Sequence, residues 1–300
     1  MDLSLKQIEA AVKQIDPVFL NTPQFVSERI SSDLGREVVV KVETINPIGS
    51  FKGRGTSVLA RKLNPALTWV SETAGNFGQG LAYGARKQGA SVHIFVAPDA
   101  PEGKVARMRS LGAEVEVVER PTVAAREHAS ASKDRVLVVD GLDPATAEGA
   151  GTIGLELDAI GPIDTAVIQL GDGALISGVA RWLKSRSADT RIVGVCASGA
   201  PAMARSFAAG RPISDPGEGT IATAIAITDP VPESLERILA LVDEVVLVDD
   251  EDIRSAMSLI ADSMGVLVEP AGAAGIAALS RHSGKVMGGR VAVLLTGAAA

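Results

Sequence analysis

Four Gly-rich segments carry residues whose types and spacing suit chemistry on a small anionic ligand. In Asn46-Pro47-Ile48-Gly49-Ser50-Phe51-Lys52-Gly53-Arg54-Gly55, Pro47 and Gly49 make a turn, Ser50 is the candidate N-cap, and Lys52 falls in the first turn of a helix. A lysine is unfavourable there, because a helix N-terminus already carries about half a positive charge. The plain reading is a solvated lysine pointing outward. The sharper one is that the same field lowers the ammonium pKa and makes the amine a nucleophile, as a Schiff-base lysine requires. In Ser71-Glu72-Thr73-Ala74-Gly75-Asn76-Phe77-Gly78-Gln79-Gly80, loop N–H groups and the Thr73 hydroxyl are placed to hold a carboxylate, although a tight Gly turn explains the segment as well. Gly171-Asp172-Gly173-Ala174-Leu175-Ile176-Ser177-Gly178 fails as a dinucleotide fingerprint, since Ile176 stands where the third Gly belongs. No Gly-Lys-Ser/Thr follows, so it is not a P-loop either, and a general anion cradle at a helix N-terminus remains. Last, Thr296-Gly297 follows an apolar strand, and Glu269-Pro270-Ala271-Gly272 opens a helix that brings a carboxylate to the same side.

Segments so far apart in the chain meet only if a regular frame gathers them. Short β-branched runs recur at Glu37–Val42, Leu67–Ser71, Ser91–Ala97, Glu114–Val118, Arg135–Val139, Thr165–Leu170, Arg191–Cys196, Glu244–Val248 and Arg290–Leu295. Helical periodicity fills Phe51–Leu63, Asn76–Gln88, Pro101–Leu111, Ala145–Ile160, Leu175–Ser187, Pro232–Val242 and Asp250–Met264 between them. Such alternation predicts an α/β fold of mainly parallel sheet with helices on both faces, and the continuous apolar strands agree. Ligands of such folds sit beyond the carboxyl ends of the strands, where all four segments fall.

Composition narrows the function. The 300 residues are 46% hydrophobic but only 3% aromatic, so an aliphatic core is expected, and the length suits about two domains. A net charge of −7 argues against a nucleic-acid partner. The start MDLSLKQIEA lacks a basic n-region, and no apolar run nears the ~18 residues of a membrane span, so a soluble cytoplasmic protein is expected. The lone Cys196 excludes an internal disulfide and reads as core. His93 reads as packed in a strand, His128 and His282 as surface helix residues, Arg107–Arg109 as a solvated face, and Asp249–Asp252 as a helix N-cap.

In this order, the segments resemble the fold-type II pyridoxal-phosphate enzymes, and most closely the threonine/serine dehydratases, which are ammonia-lyases. The match runs from Thr22-Pro23 to Thr296 and adds Ala100-Pro101, Leu111-Gly112-Ala113, Glu148 to Glu156, Gly219 to Ala222 and Val268 to Ala273. The resemblance implies two three-layer αβα domains of tryptophan synthase β-like type: a large one from residues 1–67 plus 143–300 and a small mobile one from 68–142. It implies pyridoxal 5'-phosphate on Lys52, with Phe51 against the ring, Asn76 at the ring hydroxyl, Thr296 at the pyridine nitrogen and Glu269 nearby. Gly171, Asp172, Gly173, Ala174 and Leu175 would hold the phosphate, and Thr73, Ala74, Gly75 and Asn76 the substrate carboxylate. The implied activity is β-elimination from L-threonine or L-serine to a 2-oxo acid and ammonia, by a homodimer. The alternatives are β-replacement of the cysteine synthase kind and a non-catalytic relative.

A neutral Thr296 favours elimination over transamination, because it leaves the pyridine nitrogen largely unprotonated. Ala74 stands where serine racemases carry a second catalytic Ser, which makes racemisation an unexpected outcome. Some relatives bind a divalent cation through a Glu at the position of Cys196 and an Asp near Ala202; neither ligand is present, so no metal is expected. The C-terminal regulatory region of biosynthetic threonine dehydratases is also missing, so isoleucine feedback is not expected. Thr223-Ala224 replaces a common Asp-Gly, Phe77 a frequent His, and Asp172 and Ala174 two glycines of the phosphate loop. Like charges about 4 Å apart cost roughly 4 kcal/mol at an effective dielectric of 20, so the Asp172 side chain is expected to point away from the phosphate. A carboxylate found in the cradle would refute the assignment of the cofactor phosphate to this loop.

Overall fold

Residues 1–284 and 288–299 are described in the computed structural model of the chain. The described residues hold ten strands, nine of them on the β-branched runs: β1 (Gln24–Val26), β2 (Glu37–Val42), β3 (Thr68–Glu72), β4 (Val92–Val96), β5 (Glu114–Val117), β6 (Arg135–Leu137), β7 (Thr165–Gln169), β8 (Arg191–Ala197), β9 (Glu244–Val248) and β10 (Arg290–Leu295). They divide into a six-stranded sheet, β1-β2-β10-β7-β8-β9, and a four-stranded sheet, β5-β4-β3-β6. Every pairing is parallel except β1 with β2. The α/β class with mainly parallel sheet is therefore as the alternation implied. Sequence periodicity misses β1, a three-residue edge strand, and the short helices Leu5–Ala11 and Glu28–Leu34, which are too brief to set a pattern. Among the described residues no helix is long and apolar enough to cross a membrane.

Alternate residues of the central strands enter different cores. Val291, Val293 and Leu295 pack with Val38, Val40 and Val195 on one face of the large sheet. Ala292 and Leu294 pack with Val39, Ile168 and Cys196 on the other. Both faces are thus dry, as a parallel sheet between helix layers requires. Cys196 is 1% exposed, its thiol donates to the Leu170 carbonyl at 3.4 Å, and burial pushes its pKa up to about 12. The Asp249–Asp252 segment forms a reciprocal capping box on the Asp250–Met264 helix. His93 is buried and stacks on Phe95 at 4.4 Å, with His128 edge-on to it at 4.5 Å. His282 lies just past its helix as the C-cap.

Glycines set the distances between the helices that carry the candidate site. A Cβ at Gly149 would lie 2.6 Å from the Gly55 Cα, and one at Gly178 would lie 2.0 Å from the Ala147 carbonyl oxygen. The helices Lys52–Lys62, Pro144–Asp158 and Ala174–Arg186 therefore meet nearly backbone to backbone. Next to this contact lies a buried charge network. The Arg54 guanidinium donates to Glu43 (2.8 Å) and Glu156 (2.7 Å), and Lys41 adds a 2.5 Å ion pair to Glu156. Arg54 and Lys41 are fully buried, so each charge depends on its partners for compensation. The network ties β2 to two of the three helices two residues beyond Lys52. Arg54→Leu leaves Glu43 and Glu156 with one buried cation between them and should cost about 3–5 kcal/mol, read as a lower urea midpoint; a loss below about 1 kcal/mol would contradict this role.

Candidate active site

The loop before Lys52 is folded by Asn46. Its Oδ1 accepts from the N–H groups of Ile48 and Ser50, and its Nδ2 donates to the Glu43 and Ser50 carbonyls. The loop is then stitched to the end of the sheet. Phe51 N–H donates to the Thr296 carbonyl at 3.1 Å, and Ala298 N–H to the Gly49 carbonyl at 2.8 Å. Thr296, buried past β10, is thereby brought beside Phe51 and Lys52. Lys52 is the first residue of its helix, and the N-cap is Phe51 rather than Ser50. Ser50 still contributes, since its hydroxyl accepts the Lys52 N–H at 3.3 Å.

The Lys52 ammonium sits between two carboxylates. Its Nζ lies 2.6 Å from Asp140 Oδ2 and 2.6 Å from Asp172 Oδ2, with the Phe51 and Phe77 rings at 5.4 and 5.6 Å. Burial pushes the ammonium pKa down, but the charges and hydrogen bonds of Asp140 and Asp172 outweigh it and hold it above the usual lysine range. The expectation of a lowered pKa is thus overturned: a contact ion pair on each side exceeds a half-charge at the helix end. The two acids are pushed apart in their turn. Burial and the Asp172 charge raise Asp140 to about 7, against the pull of Lys52. Burial also acts to raise Asp172, but the Lys52 charge and the Lys52 and Ala174 hydrogen bonds keep it below the usual carboxylate range.

Asp172 also corrects the sequence reading. Its side chain does not point away from the cradle but caps it, Oδ1 accepting the Ala174 N–H at 2.7 Å at the start of the 13-residue helix. Gly173 adopts φ +94°, a left-handed conformation suited to Gly, and Gly171 packs so closely that a Cβ would lie 3.1 Å from the Ile225 Cα. Lys52 is the cation within reach, and the carboxylate turns to it. The carboxylate and a phosphate are mutually exclusive on the Ala174 N–H, so in this arrangement of the loop the phosphate assignment fails. In other respects the residues fit a phosphorylated aromatic aldehyde. A primary amine lies between two aromatic rings, and a glycine-bearing turn leads into a helix N-terminus. Asp172 must swing out for the phosphate to enter.

Thr73, Ala74, Gly75 and Asn76 form the turn from β3 into the Asn76–Gln88 helix, where the Thr73 hydroxyl accepts the Gly75 N–H at 3.3 Å. Asn76 is held by its neighbours. Its Nδ2 donates to Glu269 Oε1 at 2.7 Å, and its Oδ1 accepts from Gln79 at 3.0 Å. Glu269 Oε2 pairs with Lys104 at 2.7 Å, so this cluster joins the helices of the small sheet to the large one. Gly297 is confined by it, because a Cβ there would lie 2.1 Å from Glu269 Oε1. A cavity of ≈ 50 Å³ adjoins the cluster between Ile48, Lys104, Arg107 and Ala298. The sequence reading did not single out Asp140, Lys104 or Gln79. Asp140 carries one signal that was legible, a carboxylate three residues past β6 at the carboxyl end of a parallel strand.

Known proteins resemble this chain over nearly its whole length. The family described as pyridoxal-phosphate dependent enzyme matches residues 15–297. An L-threonine ammonia-lyase of Thermotoga maritima is 32% identical over 302 residues, 98% of this chain and 75% of that protein. A serine racemase of Arabidopsis thaliana is 33% identical over 289 residues, 92% of this chain and 85% of that one. A solved threonine deaminase from T.th. superposes with a TM-score of 0.92 at 29% identity, covering 99% of this chain and 98% of its own.

The two ion pairs make Lys52 a poor nucleophile until one of them is removed. Asp172→Asn should lower the Lys52 pKa, so that at any given pH above neutrality more free amine is present. Reductive methylation of Lys52 by formaldehyde and cyanoborohydride, followed by peptide mass spectrometry, should then run faster at pH 8 in D172N than in the parent. Equal rates would show that Asp172 does not hold the ammonium.

Proposed function

This chain belongs to the family of pyridoxal-phosphate-dependent enzymes, and from that premise we propose that it is an ammonia-lyase converting a β-hydroxy amino acid, L-threonine or L-serine, to a 2-oxo acid and ammonia. The observation that carries the reading is the largely buried amine of Lys52, lying next to the Gly171–Leu175 loop and between the Phe51 and Phe77 rings. The relatives named threonine ammonia-lyase and threonine deaminase support the reaction type.

When bound, pyridoxal phosphate supplies a sink for the electron pair left at Cα. The chain supplies the rest. Lys52 would anchor the cofactor through Nζ and, once displaced by the substrate amine, act as the base that removes the Cα proton. Phe51 would pack on the ring, Asn76 would face its hydroxyl and Thr296 its nitrogen, with Glu269 holding Asn76 in place. Gly171, Asp172, Gly173, Ala174 and Leu175 would take the phosphate after Asp172 has turned away. Thr73, Ala74, Gly75 and Asn76 lie at a helix N-terminus, the right dipole end for a substrate carboxylate. Ala74 has no group able to carry a proton, which argues against racemisation although serine racemases are among the relatives. The unit from 68 to 142 is proposed to move as a small domain against the large one built from 1–67 and 143–300. A homodimer in the cytoplasm, without a nucleic-acid partner, goes with this reading, as the charge of −7 supports.

The purified protein loaded with pyridoxal phosphate should release oxo acid and ammonia from threonine or serine with no added nucleophile. Lys52→Ala should lose both turnover and the visible absorbance that survives dialysis. Turnover only when a thiol or amine is supplied would instead establish β-replacement, and a chain that never retains the cofactor would sink the reading.

A further inference from the structure

Elimination of a hydroxyl needs an acid as well as a base, because hydroxide is a poor leaving group. The base takes its proton from Cα, and another proton must reach the departing oxygen. Two carboxylates touch Lys52, and their surroundings differ. Asp172 has both oxygens engaged, Oδ2 on Lys52 and Oδ1 on the Ala174 N–H. Asp140 gives Oδ2 to Lys52 at 2.6 Å, while its Oδ1 is buried without a well-aligned hydrogen bond, the Gly141 N–H and the Asp172 carboxyl being the other groups that bear on it. A carboxylate oxygen left so is better satisfied as a protonated carboxyl.

The Asp140 segment is held in place from behind. Arg237 donates to the Gly141 carbonyl at 3.3 Å and to the Leu142 carbonyl at 3.4 Å, and is itself paired with Asp2. Gly141 adopts φ +75°, and a Cβ there would lie 3.2 Å from the Asp172 Cβ. The two acidic segments are thus pressed together around one amine. The titratable groups in contact with Asp140 are Lys52 and Asp172.

Resting on the β-elimination reading above, we propose that Asp140 is the catalytic acid that protonates the departing β-hydroxyl and regains its proton when the Lys52 amine is engaged again. In balance, free Lys52 Nζ takes the Cα proton, and the electron pair of that C–H bond becomes the Cα–Cβ double bond as the Cβ–O bond breaks. The oxygen keeps the Cβ–O pair and receives the Asp140 proton, leaving as water. The proton gained by Lys52 is given up when its amine is covalently engaged again, and the Asp140 carboxylate, then without the cation it lay 2.6 Å from, takes one up. Both groups end as they began, and no outside acid or base is consumed. The environments that drive the two carboxyls in opposite directions fit one acid that holds a proton near neutrality and one that stays ionised.

The test compares a leaving group that needs a proton with one that does not. Asp140→Asn should keep the cofactor absorbance and should still exchange the Cα hydrogen of alanine for solvent deuterium, followed by NMR. Its elimination of serine should fall about 100-fold or more, while β-chloroalanine, which leaves as chloride, stays within a few-fold of the parent. A parallel loss on serine, β-chloroalanine and alanine exchange would make Asp140 structural and overturn the proposal, as would undiminished serine turnover. A second measurement needs no substitution: in the parent enzyme, serine elimination should slow about twofold in deuterium oxide and β-chloroalanine elimination should not. Equal solvent effects would overturn the proposal. If the parent exchanges alanine but eliminates neither amino acid, the β-elimination reading itself fails.

Discussion

A lysine ammonium with a carboxylate oxygen 2.6 Å away on each side is the arrangement on which the rest of the site depends. The three charges come from three places: the first turn of a helix, the loop after β6 and the loop after β7. The lysine compensates acids that would otherwise repel across a largely buried space, and the acids hold an amine that would otherwise be driven neutral. Each group therefore has a protonation state that depends on the other two. Engaging the amine with an aldehyde removes the cation and forces the acids to rearrange or to take up a proton.

The frame that brings these charges together relies on close backbone contact. Gly55, Gly149 and Gly178 let three helices approach to distances that any side chain would prevent. The Arg54, Glu43, Glu156 and Lys41 network then fixes the Lys52 helix to β2 with compensated charge. At the other end of the cleft, Lys104 and Asn76 reach across to Glu269 and join the small sheet to the large one. A rearrangement between the sheets therefore has to break charge-assisted hydrogen bonds at this cluster, which sits next to the loop expected to receive a substrate carboxylate.

Asp172 shows how one substitution changes the logic of a familiar loop. A glycine there leaves the helix N-terminus open to any anion. An aspartate brings its own anion, which caps the Ala174 N–H and pairs with the lysine. The side chain answers first to the cation and the N–H group within its reach. Direct contact with both decides its orientation.

The amino-acid sequence by itself determined the order of the longer strands and helices, the parallel α/β class and the family, and it singled out four Gly-rich segments at strand ends. These follow from local periodicity, from Gly and Pro at turns, and from short motifs in register, all of which are properties of neighbours in the chain. Only the tertiary structure decided that Asp140 touches Lys52, that Asp172 turns inward, that Asn76 is held by Glu269 and that the Lys52 pKa rises instead of falling. Those outcomes depend on polar groups 88 to 193 residues apart in sequence brought within hydrogen-bonding distance, and at Lys52 the Coulomb energy at contact outweighs the weaker field of a single helix end.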